Sequence, residues 1–295
     1  MISIIITSFR EPETIGRAIE SFINQKINEK YELIISAPDK ETLNAARKYC
    51  KKNKQIKLIK DPGKGKSYAI NSILPKLKGK IIVLSDGDVY VSNNSVNALI
   101  AEFKDKKVGC VTGRPISQNS RNTMLGYWSH LLCDAGAHQA RLKRAKKGQF
   151  LECSAYLWAF RKDLVKNYPL DVAEDAIVPL LLWLKGYKVK YMPNALVYVK
   201  YPETMKDFID QKVRTAKSHE TLAKYIPLKA PRMKTFSNEI LEGWKALLYP
   251  RNLKELLWTK VLFLVRLYTW ILAFYQIKFK KQEFKDAWKR VESTK

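Results

Sequence analysis

Two rhythms of apolar residues alternate along the first third of the chain. Short β-branched runs cover residues 4–7, 31–36, 56–59 and 81–84, the pattern of buried strands. Between them apolar positions recur every three or four residues, as on one face of a helix. The first helix opens near Pro12-Glu13-Thr14 and sets Ile15, Ala18, Ile19 and Phe22 on one side, and two more cover residues 40–51 and 66–77. Such alternation specifies right-handed crossovers and a parallel sheet covered by helices on both faces. Ligand-binding residues of such sheets gather at the carboxyl ends of the strands.

Past residue 90 the alternation loosens. Residues 108–112, 154–160, 189–192 and 196–199 read as strands, residues 124–145 as a long amphipathic helix, and residues 176–185 as a helix ended by Gly186. The final 70 residues change character. Ser237-Asn238-Glu239 caps a helix with Ile240, Leu241, Trp244, Leu247 and Leu248 on one stripe, stopped by Pro250. A second helix starts after Asn252 and enters the apolar stretch 261–275, with Trp258, Tyr268, Trp270 and Tyr275 in or beside it. That stretch is short of the roughly 20 apolar residues a bilayer crossing needs, and it contains Arg266. Extended to residues 256–279 it is long enough, but then takes in Lys260 and Lys278 as well. The expectation is an amphipathic helix in the membrane interface, with packing on the rest of the chain and a true span as alternatives. Residues 1–225 therefore read as one α/β domain and 226–295 as a helical appendage.

Composition adds a charge argument. Against 28 Asp and Glu stand 54 Lys and Arg, a net +26, which calls for an anionic partner: a phosphate-bearing substrate, an anionic lipid surface or nucleic acid. A general lysine-rich habit of the source is the plainer explanation. The lysines are dispersed over all elements, with no RNA-binding signature or zinc module, so nucleic acid is not the expected partner. Cys50, Cys110, Cys133 and Cys153 form no Cys-x-x-Cys pair and read as buried thiols of a reducing compartment. His130, Cys133 and His138 lack a fourth ligand, and no zinc site is expected. The amino terminus has no basic segment or long apolar core of a signal peptide, so the expected location is cytoplasmic.

Four stretches carry candidate chemistry. Ser85-Asp86-Gly87-Asp88 directly follows the fourth apolar run. Residues i and i+2 of an extended segment point to one side, so both carboxylates can face one hard cation, with Gly87 turning the backbone between them. A Mg²⁺ or Mn²⁺ ion held this way completes its shell with water and substrate phosphates. Thr7-Ser8-Phe9-Arg10-Glu11 leaves the first strand for a helix, where free amides, a hydroxyl, a ring and a carboxylate can grip a nucleotide. Asp61-Pro62-Gly63-Lys64-Gly65-Lys66-Ser67 is a Gly/Lys loop suited to a diphosphate, without Walker A spacing. Glu174-Asp175 opens an apolar helix, where a carboxylate can act as a general base. Each alone also reads as ordinary structure: a polar turn, a capped loop, a solvated turn, acids favoured by a helix dipole.

Their order is more specific than any part. The first-strand loop, the Gly/Lys loop, Asp-x-Asp, Glu-Asp and then Gln211-Lys212-Val213-Arg214 resemble the inverting family 2 glycosyltransferases, particularly the branch with cellulose and hyaluronan synthases. The resemblance covers roughly residues 1–220. It implies a GT-A fold, an α/β architecture with a mixed, mostly parallel sheet. It further implies a nucleotide-diphosphate sugar donor, a Mg²⁺ or Mn²⁺ cofactor and inversion in one displacement. Carried over by position, Asp86 lies near the ribose and metal, Asp88 ligates the cation, Asp175 is the base and Glu174 supports it. Lys66 or Lys64 faces the nucleotide, Thr7, Phe9 and Glu11 border it, and Gln211 and Arg214 bind diphosphate and acceptor.

Two departures stand out. Where the family often has an Asp-Asp pair that reads uracil, this chain has Ser36-Ala37-Pro38-Asp39, leaving Asp39 alone. Thr215 replaces the tryptophan of Gln-x-x-Arg-Trp, and the synthases' multiple spans are missing, so a channel-forming synthase is not expected. The expected enzyme moves a sugar, UDP-linked in preference to GDP-linked, to a glycan or polyprenyl-linked acceptor at the cytoplasmic face of the membrane. The competing readings are a sugar-phosphate nucleotidylyltransferase and a basic, non-enzymatic lipid- or nucleic-acid-binding protein.

Overall fold

The computed structural model describes residues 1–227, 229–282, 284 and 292–294. Its strands are β1 (Ile2–Thr7), β2 (Tyr31–Ala37), β3 (Ile56–Lys60), β4 (Ile81–Asp86), β5 (Tyr90–Val91), β6 (Val108–Ser117), β7 (Leu157–Arg161) and β8 (Lys188–Val199). They form one sheet in the order β3-β2-β1-β4-β7-β6-β8-β5. The crossover helices of the first half are α1 (Ile15–Ile23), α2 (Lys40–Lys52) and α3 (Lys66–Ile73). Further along come α4 (Ser95–Ala101), α5 (Met124–Leu131), α6 (Gln139–Lys146), α7 (Glu174–Leu184), α8 (Met205–Thr221), α9 (Phe236–Gly243) and α10 (Leu253–Lys278).

β1 lies near the centre because every one of its side chains is buried, Ile4 and Ile6 on one face and Ile5 on the other. The two faces lead into two cores: Ile5 joins Ile70, Trp158, Phe160 and Ile177, while Ile4 and Ile6 join Phe22, Val83 and Leu157. Each large side chain buried there contributes roughly 1.5–3 kcal/mol. The parallel register sets Thr7 opposite Ser36 of β2 on one side and Asp86 of β4 on the other. Three loops are thereby brought to one point.

The parallel sheet read from the first strands gives way beyond β4. β7 runs antiparallel to both β4 and β6, while β6 and β8 are parallel. The connection from β6 to β7 both leaves and re-enters the sheet at the end where β4 terminates, so β7 must run away from that end. Residues 124–145 are helical as expected, but Leu132–His138 form a π-helical stretch between α5 and α6, a distortion frequent at functional sites. Two expected strands, 189–192 and 196–199, are one strand, β8, with a register irregularity where Pro193 lacks a donor. The expected strand at 154–160 starts only at Leu157, because the residues before it bond to the site. The short β5 carries no periodicity from which to read it.

Candidate active site

The first two loops are locked to Asp86 and Asp39. Thr7 Oγ1 donates to Asp86 Oδ1 at 3.1 Å, and Gly87 N donates to Thr7 O at 2.9 Å. Ser8 Oγ donates to Glu11 Oε2 at 2.5 Å. Gly87 lies in the turn that follows β4, as expected, without a positive φ, and it is also needed for space: a Cβ there would sit 2.3 Å from Ser8 Oγ and 2.6 Å from Glu11 Oε2. Gly87→Ala should therefore push the Thr7–Glu11 loop off Asp86 and raise the KM for the nucleotide donor that the resemblance implies about tenfold or more, with a smaller change in melting temperature.

Asp39 caps α2. Its Oδ1 accepts from Thr42 N at 2.9 Å and its Oδ2 from Arg10 N at 2.8 Å. Burial pushes its carboxyl up, but these hydrogen bonds more than offset that and leave it below the usual range. The Oδ2 bond fixes the loop carrying Phe9, whose ring lies 5.2 Å from the Arg10 guanidinium. A second acid, given no role in the sequence reading, stands nearby. Asp61, only 4% exposed, accepts from Ser36 Oγ at 3.0 Å and Gly63 N at 2.8 Å. Burial, with Asp39 adding its charge, pushes the Asp61 carboxyl up. Asp39 and Asp61 thus stand as two separated acids at the ends of β2 and β3.

Of the two lysines in the Gly/Lys loop, Lys66 is the one that pairs with the acids. Gly65, at φ 109°, turns the chain into α3 in a conformation suited to glycine. Lys66 Nζ then lies 2.7 Å from Asp86 Oδ1 and 2.9 Å from Glu174 Oε1, and donates to Ala155 O at 3.4 Å. Between two carboxylates its ammonium is held above its ordinary pKa despite burial. Lys64 is exposed, its Nζ 5.3 Å from the centre of the Tyr68 ring.

A proline positions the candidate base. Pro179 lies inside α7 and has no N–H to give the carbonyl of Asp175, four residues earlier. Cys153 N takes that place, donating to Asp175 O at 3.2 Å. Arg141 steadies the same segment by donating to the carbonyls of Glu152 and Cys153. α8 holds the start of α7 from the other side, its Ser218 Oγ accepting from Ala173 N at 3.0 Å. Burial pushes the Asp175 carboxyl up to about 6; Glu174 and Glu152 add to the rise, while Lys234 and Lys66 oppose it. A carboxylate poised there accepts a proton near neutral pH.

Glu152 and Lys234 escaped the sequence reading. Glu152, fully buried, accepts from the amides of Met233 and Lys234 at 3.1 and 3.3 Å, with Lys234 Nζ at 3.6 Å and His219 Nδ1 at 3.7 Å. Burial holds the His219 imidazole down at about 4, so at neutral pH Lys234 carries the pairing with Glu152. On α8, Gln211 is half-buried and Arg214 exposed, and no bond joins either to the acid cluster among the described residues. Between them Val213 is buried and Lys212 half-buried, and burial and Arg266 pull the Lys212 ammonium down to about 8. Thr215, in the family's tryptophan position, bonds back to Gln211 O at 2.9 Å.

For a metal, the chain offers Asp86 and Asp88. The Tyr156 phenol lies near both, its pKa raised by burial and by their charge. Among the described residues no three metal-ligating side chains converge. Two hard carboxylates at the end of β4, one already sharing an oxygen with Lys66, fit a divalent cation whose remaining ligands come from a diphosphate and water.

Comparison with known proteins agrees with this geometry. The family model for glycosyl transferase family 2 matches residues 3–168, from β1 to the segment before α7. The chain belongs to glycosyl transferase family 2. Among relatives, the poly-beta-1,6-N-acetyl-D-glucosamine synthase of Staphylococcus epidermidis is 27% identical over 236 residues, 75% of this chain and 55% of that protein. The N-acetylglucosaminyltransferase of Rhizobium meliloti (strain 1021) is 22% identical over 240 residues, 74% of this chain and 55% of that protein. The chain thus spans about half the length of the curated relatives it matches. A mannosyltransferase from Pyrobaculum calidifontis, solved with GDP-Man and Mn²⁺, superposes with a TM-score of 0.68 at 16% identity, covering 95% of this chain and 88% of that one. That likeness establishes the GT-A fold expected for a family 2 chain.

Proposed function

We propose that this family 2 chain transfers a sugar, with inversion, from a nucleotide-diphosphate donor to an acceptor in cell-envelope glycan synthesis. The supporting observation is the Lys66 ammonium held between Asp86 and Glu174, with Asp175 next in sequence at the head of α7. Asp175 takes the proton of an acceptor hydroxyl as its oxygen attacks the anomeric carbon, and the nucleotide diphosphate leaves from the opposite face. A divalent cation on Asp88 and Asp86 would neutralise charge growing on that leaving group. Lys66 adds a fixed positive charge beside it, and Glu174 anchors Lys66. The loop carrying Thr7, Phe9 and Glu11, with Asp39 and Asp61, frames the nucleotide; a UDP-sugar is favoured over a GDP-sugar. Gln211 and Arg214 of α8 serve the diphosphate and the acceptor in this reading.

Residues 1–225 form the catalytic unit in this reading, and 226–295 attach it to the cytoplasmic face of the membrane, where a glycan or polyprenyl-linked acceptor is presented. The matched family argues against the nucleotidylyltransferase and non-enzymatic alternatives. The test is nucleotide release from a panel of nucleotide sugars with Mn²⁺. One donor should support release, chelation should stop it, and Asp88→Ala should lower it about a hundredfold or more. Release from no donor, or full activity in Asp88→Ala, would sink the reading.

A further inference from the structure

Most of the large apolar side chains left exposed lie between Ile240 and Phe279. On α10 they include Leu253, Leu257, Val261, Leu264, Leu267 and Tyr268, then Ile271 and Tyr275, recurring every three or four residues and therefore on one face. Leu264 is 69% exposed and Ile271 58%. α9 and the turn after it add Ile240, Leu241, Trp244 and Leu248.

The opposite face of α10 is of a different kind. Glu255, Thr259, Leu262, Trp270 and Ala273 are buried there against the catalytic unit. Glu255 pairs with Arg121 at 2.7 Å, Thr259 bonds to Tyr127 at 2.7 Å, and Arg266 pairs with Glu239 of α9 at 2.6 Å. To cross a bilayer, α10 would have to give up these bonds and carry uncompensated charges into hydrocarbon. Lying flat, it presents its apolar face over about 39 Å while its bonded face stays on the protein.

Charge selects the occupant. Lys254, Lys260, Lys278 and Lys280 are exposed on or beside the stripe; the one acid among residues 251–281, Glu255, is buried and already paired, and the exposed Glu242 of α9 is paired with Lys143 and Lys245. Two copies meeting through this face would oppose cation to cation. An anionic lipid surface receives the lysine heads at its phosphates, their stems and the Trp244, Tyr268 and Tyr275 rings at the headgroup boundary, and the leucines below.

We propose that the outer face of α9 and α10 is an in-plane docking surface for a bilayer containing anionic phospholipid. This rests on the membrane part of the function proposed above and not on its donor chemistry. Since α10 packs on α5 and α8, and α8 holds the head of α7, docking brings the base's side of the molecule to the lipid surface, from which a lipid-linked acceptor would enter.

Flotation of the full chain with phosphatidylcholine vesicles, with and without phosphatidylglycerol, tests it. The protein should float with the anionic vesicles, about tenfold less with the neutral ones, and less in high salt. Leu264→Glu/Ile271→Glu should stay unbound while its melting temperature and donor-dependent nucleotide release match the wild type. Failure of the wild type to float, or equal flotation of the double variant, would overturn the proposal. So would retention in native membranes after alkaline carbonate, which means a span, or a dimer that the double variant abolishes. Absence of nucleotide release from both proteins, with vesicle binding as expected, would remove the donor reading and leave the docking surface standing.

Discussion

Lys66→Met should both unfold the site and silence it. The substitution keeps the length of the side chain but leaves Glu174, 3% exposed, without the ammonium 2.9 Å away, and removes the partner of Asp86. Removing one member of a buried ion pair costs about 3–5 kcal/mol, because the other charge stays buried alone. For a chain of this size that corresponds to a fall in melting temperature on the order of 10 °C. Adding Glu174→Gln should return most of the stability, since the amide needs no countercharge. Nucleotide release should stay lost in the double variant, because the fixed charge beside the diphosphate is still missing. Equal instability of the single and double variants would show that Lys66 acts through packing alone, and recovery of activity in the double variant would remove it from the chemistry.

What was legible in the sequence follows from what periodicity reports. The β-branched runs state which segments are buried strands, and parallel strands put their ends together, so Thr7 meeting Asp86 was implicit in the pattern. Local spacing could not separate Lys64 from Lys66, because that choice depends on the turn at Gly65, whose φ of 109° aims α3 at the end of β4. The contacts of Glu152 were further out of reach: its carboxylate meets amides 81 and 82 residues along the chain. A buried glutamate in an otherwise apolar segment was the only signal, and it names no partner. Pro179 was visible as a proline in a helical pattern, but that its missing N–H frees Asp175 O for Cys153 needed the antiparallel return of β7. The reversal of β7 was itself hidden, since a buried strand reads the same in either direction.

Asp175→Asn should make the protein more stable and nearly inactive. Burial and the neighbouring Glu174 and Glu152 push the Asp175 carboxyl up to about 6, against about 3.9 in an unfolded chain. A group whose pKa is raised by folding favours the folded state while protonated. That contribution is complete below the unfolded value and is lost as pH rises through about 6. Above that pH the ionised carboxylate weighs against folding by roughly 2–3 kcal/mol, and an asparagine of the same shape does not. The melting temperature of Asp175→Asn should therefore exceed that of the wild type at pH values above about 6, and the difference should shrink as the medium is acidified. Activity moves the other way, because only the ionised carboxylate accepts the acceptor's proton. Wild-type turnover should rise with pH up to about 6 and then level, and the variant should lose about 10²–10⁴-fold with that limb absent. A destabilised Asp175→Asn, or one that keeps the acid limb, would mean that another group is the base. The destabilisation that ionised Asp175 brings to the fold is, in this account, what holds a proton acceptor ready at the head of α7.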